Sequence, residues 1–65
     1  MSARAELARR VLRMLASGDP VPALDALQLR TWALTPEDAM LSLESIALLI
    51  LGEEENGESY PGAYN

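Results

Sequence analysis

A chain of 65 residues holds one domain at most. With no histidine, cysteine or lysine, and a net charge of −5, it lacks the usual imidazole base, thiol nucleophile, Schiff-base amine and zinc ligands. The acidic total also argues against direct nucleic-acid binding, which depends on cationic contacts with phosphates.

Domains this small bury only ~60% of their unfolded surface and keep a few kcal/mol of net stability. Disulfides and zinc cannot supplement that core here, so self-association or a partner remains as reinforcement. Absence of cysteine fits a reducing compartment, and a cytoplasmic location is expected. Leucine and alanine dominate while phenylalanine is absent, a composition that favours helices over strands. The expected fold is all-α: a small three-helix bundle or helical hairpin over residues 1–52, followed by a flexible acidic tail over 53–65.

Charge is unevenly placed. Residues 1–17 carry Arg4, Arg9, Arg10 and Arg13 against Glu6 alone, whereas residues 36–65 hold seven acidic residues and no basic one. Such separation would suit antiparallel pairing of two copies or a partner with a basic groove. The longest apolar run, Ile46–Leu51, is six residues, far short of the ~20 that span a membrane. The amphipathic pattern begins at once, so no signal-peptide core is expected.

The first helix is expected over residues 3–17, capped by Ser2 and stopped by Gly18. Its apolar face holds Leu7, Val11, Met14 and Leu15, flanked by Ala8 and Leu12. Glu6 is spaced to pair with Arg9 and Arg10 on the opposite face. Asp19-Pro20 then predicts a second start, with a helix over 20–33 presenting Leu24 and Leu27 on one side and Leu29 and Trp32 nearby. Residues 27–34 alternate as a strand would, but a lone strand has no partner, so the helix is preferred.

Thr35-Pro36-Glu37-Asp38 predicts a third helix over 36–51: Thr35 as cap, Pro36 at the first position, two carboxylates at the positive end of the helix dipole. Gly52 is expected to end it, since the following glutamates would lie against the negative end. The tail contributes Tyr60 and Tyr64 as its large side chains.

In this third helix Ala39, Met40, Leu43, Ile46, Ala47 and Ile50 form one apolar stripe. Its last turns, however, are apolar nearly all round. Burying each of Leu48, Leu49 and Leu51 is worth ~1.5–3 kcal/mol, and two short helices cannot readily enclose them all. The expected interface is therefore Leu48, Leu49 and Leu51, with Leu41 one heptad earlier and Tyr60 and Tyr64 in the tail.

No glycine-rich phosphate loop is present, and Glu53, Glu54, Glu55 and Glu58 lack the alternating oxygen ligands of a calcium loop. No metal or cofactor is expected. The run Leu41–Leu51, LSLESIALLIL, followed by Glu53-Glu54-Glu55, resembles the start of the second helix of acyl and peptidyl carrier proteins. Those proteins carry phosphopantetheine on the serine of an Asp-Ser-Leu motif. The resemblance implies Ser45 as the attachment serine, with Glu44 and Ile46 in place of Asp and Leu; read from the residues alone, Ser45 is a helix-surface serine.

The expected role is a non-enzymatic interaction module that regulates or inhibits a larger protein, of a kind that phage or mobile elements produce. The alternative is a self-associating structural subunit of a virion or secretion apparatus. The partner is another protein or a second copy, a homodimer.

Overall fold

The computed structural model describes the backbone of residues 2–63 and the side chains of residues 2–55. It is all-α as expected. Helix α1 spans Ala3–Ser17, α2 spans Ala23–Thr31, a 3-10 turn covers Asp38–Met40, and α3 spans Leu43–Ala63. No strand occurs among the described residues, so residues 27–34 resolve as the end of a helix and a turn.

Both ends of α1 follow from the sequence. The Ser2 hydroxyl accepts from the Ala5 amide at 3.0 Å, filling one of the donors a helix start leaves open. At the other end Gly18 adopts φ 78°. Its amide donates to the Leu15 carbonyl and that of Asp19 donates to Met14, at 3.2 and 2.9 Å. This pair of hydrogen bonds is the Schellman arrangement, for which glycine is favoured because a Cβ is strained there.

That termination displaces the start of α2. The Asp19 amide is held in the α1 cap, and the helix begins at Ala23 behind Pro22, which has φ −58° and makes no side-chain cap. The expected Asp19-Pro20 start is not used; Val21 instead packs on the edge of the core.

Residues 35–42 depart furthest from expectation. Thr35 does cap, accepting from the Asp38 amide at 3.1 Å, but only one 3-10 turn follows. Arg30 of α2 explains the break. Its Nη1 donates to the carbonyls of Ala39 and Leu41, each at 2.7 Å. A continuous helix would need those two oxygens for the amides of residues 43 and 45. Leu41 is instead extended, with ψ 175°, and the Ser45 amide donates to the Ser42 hydroxyl at 3.2 Å. Ser42 is thus the cap of α3.

The helix also passes through Gly52, where it was expected to stop. Gly52 has no positive φ, and Glu54 meets Arg4 of α1 at 3.9 Å. Glu54 continues the inward line of Ile46 and Ile50, so one of the expected opposing charges has a cation across the bundle.

The core is made by Leu7, Ala8 and Val11 of α1, Leu29 of α2, and Ile46, Ala47 and Ile50 of α3. Small residues at 8 and 47 bring α1 and α3 close, and these two helices share the largest interface. They run antiparallel, since Arg4 at the start of α1 reaches Glu54 well along α3. Helix α2 closes the remaining side, with Leu29 fully buried and Trp32 and Ala33 packed against the cluster. Two expected core positions are displaced outward. Met40 is 84% exposed because the 3-10 turn removes it from the α3 stripe, and Leu15, in the last turn of α1, is 39% exposed.

Candidate docking face

Beyond its buried stripe, α3 turns a second apolar face to solvent. Leu48 is 55% exposed and Leu49 is 42% exposed; Leu48 lies opposite Ile46 and Ile50, and Leu49 flanks it on the solvent side. On a helical projection Ser45 and Gly52 fall between the two leucines. The ridge therefore has bulk at its centre and small residues one turn to either side.

Its shoulders are acidic. Glu44 and Glu55 lie within about 40° of Leu48 and Glu53 within about 40° of Leu49, and Glu44, Glu53 and Glu55 are exposed. No arginine of α3 interrupts them, because the whole helix contains none.

Of the residues expected at the interface, Leu48 and Leu49 share this face. Leu51 is half-buried and packs on the core. Leu41 is exposed but belongs to the extended link before α3, so the heptad that would align it with Leu48 is broken. Tyr60 and Tyr64 lie outside the residues whose side chains are described. Ser45 is half-buried in the first turn of α3, its hydroxyl accepting from Ser42 at 3.0 Å.

Two features escaped sequence reading. Leu24 and Leu27 share one side of α2 as expected, but that side faces solvent, at 80% and 63% exposure. With Thr31 they form a stripe opposite Leu29, and the 24–27–31 spacing could have shown that it lies away from the core. The second is a groove of about 230 Å³ between α1 and α2, lined by Ala3, Glu6, Leu7, Arg10, Asp25, Gln28 and Trp32. Arg10 and Asp25 form an ion pair across it at 3.4 Å, so Arg10 reaches to α2 and not only along its own helix. The groove is below the ~300–1,000 Å³ of ordinary ligand pockets.

Among the described residues no group of side chains could hold a metal ion, and no helix is long and apolar enough to cross a membrane. Fold and surface together define a small three-helix module with an exposed, acid-flanked leucine ridge. Comparison with family models, curated proteins and solved structures finds no match to this chain.

Proposed function

We propose that this protein is a non-enzymatic interaction module that regulates or inhibits a larger protein by docking through α3. The observation that carries this reading is the exposure of Leu48 and Leu49 on a helix whose opposite face already fills the core. Among the described residues neither side chain joins the core cluster, and burying a leucine fully is worth ~1.5–3 kcal/mol, about half of which is still to be gained at each. In a partner complex that contribution goes to binding. A sequence without His, Cys or Lys supports a role without catalysis.

The test compares proteins retained from the native host by the wild-type chain and by Leu48→Asp, an exposed position whose change leaves the core intact. A specific partner is held by the former and lost by the latter. Equal retention by both removes α3 from the interface.

One observation favours the structural-subunit reading: Leu24 and Leu27 give α2 a second exposed apolar pair. A subunit contacting neighbours on two sides would present two such surfaces. Light scattering over a dilution series separates the readings, since an assembly subunit grows in mass with concentration and a regulator remains a monomer.

A further inference from the structure

We infer that the outer face of α3 receives an amphipathic helix of another protein whose apolar seam is flanked by arginine or lysine. This rests on the docking reading above and specifies the partner's chemistry. The ridge is convex and helical. Helices pack side by side at 8–10 Å, and close approach requires small residues beside the large ones. Ser45 and Gly52 supply them on either side of Leu48 and Leu49.

The shoulders decide which helix fits. In paired helices, charges flanking the apolar seam set partner choice and orientation. Here Glu44 and Glu55 stand on one shoulder and Glu53 on the other. Two copies paired through this face would bring carboxylate against carboxylate in both parallel and antiparallel arrangements. With Leu48 and Leu49 centred, Glu44 of one copy would meet Glu55 of the other in the antiparallel pair, and Glu53 would meet Glu55 in the parallel one. Like charges in contact oppose association and select against the wrong partner. A helix with cationic flanks meets the same carboxylates favourably. The face thus excludes itself and favours a basic partner.

The probe is a synthetic helical peptide with leucine along one seam and lysine on both flanks, together with its twin bearing glutamate flanks. Amide shifts of the labelled protein report where each binds. The lysine peptide is expected to shift Ser45, Leu48, Leu49 and Gly52 and to bind about tenfold or more tighter than its twin at low salt. That advantage shrinks as salt screens the flanks. Leu48→Asp abolishes both interactions, while the double variant Glu44→Lys, Glu53→Lys reverses the preference between peptides. Its exposed positions keep the fold intact.

Equal affinity for the two peptides at this face overturns the basic-partner inference and leaves docking through α3 standing. Absence of shifts at Leu48 and Leu49 with either peptide overturns both. A dimer in sedimentation that Leu48→Asp dissociates shows that a second copy covers the ridge, and refutes the partner assigned here.

Discussion

Replacing Gly52 by alanine, and separately Gly18 by alanine, should move stability in opposite directions. At Gly52 the backbone is helical and an added Cβ meets no heavy atom within 4 Å. The substitution therefore gains the helix propensity that separates the two residues, about 0.8–1.0 kcal/mol. At Gly18 there is equally open space, but φ is +78°, a conformation that costs an L-residue about 1–2 kcal/mol. For a domain of this size each kcal/mol shifts Tm by about 4–8 °C. Gly52→Ala should melt several degrees higher and Gly18→Ala several degrees lower, followed by helical circular dichroism and checked by urea titration. A Tm unchanged or lowered by Gly52→Ala would refute a helix that continues cooperatively from Leu51 to Glu54. It would also detach the Arg4–Glu54 pair from the folded unit.

Other outcomes follow from the packing. Leu29→Ala removes the one fully buried side chain of α2 and should cost about 2–5 kcal/mol, enough to leave much of the chain unfolded in mild urea. Arg30→Ala deprives two carbonyls of a charged donor; such bonds contribute about 1.5–3 kcal/mol net when shielded, and less at Leu41, where the bond is exposed. Amide exchange at Met40 and Leu41 should accelerate well before that of the α1–α3 core. Ser42→Ala removes the α3 cap and should cost about 1 kcal/mol in urea unfolding. Leu24→Ser, on an exposed stripe, should change stability by less than about 0.5 kcal/mol; a larger loss would mean that Leu24 is covered in solution.

The parts legible in the sequence were those decided locally. Ser2 and Gly18 bracket α1 through bonds made within a turn of each end, and both act as their side chains and backbone dictate. The stripe of Ile46, Ala47 and Ile50 was readable from spacing alone, as was the surplus of leucine at 48 and 49. What was not legible came from distant residues. Thr35-Pro36-Glu37-Asp38 is a sound helix start by every local rule, and its cap forms. Arg30, from another helix, then takes the carbonyls that would have propagated it. Gly52 likewise carries a stop signal that fails: the helix runs on, and the carboxylate two residues on lies 3.9 Å from Arg4 across the bundle. The candidate face was half legible for the same reason: exposure of Leu48 and Leu49 follows from the periodicity of α3, while Leu51 and Leu41 were placed by the core edge and by the Arg30 link.

The grip of Arg30 on Ala39 and Leu41 also bears on the order in which the chain folds. It joins residues separated by 9 and 11 positions in sequence, and loops of about that length close in about 10–100 ns. Helix α2 and the link to α3 can therefore meet as a local unit at small entropic cost, whereas joining Val11 to Ile46 and Ala47 closes more than half the chain. Docking of α1 is then the late step, and the one that excludes water from the core. Substitutions at Arg30 should slow folding more than they speed unfolding, while substitutions on the α1 side of the core should do the reverse.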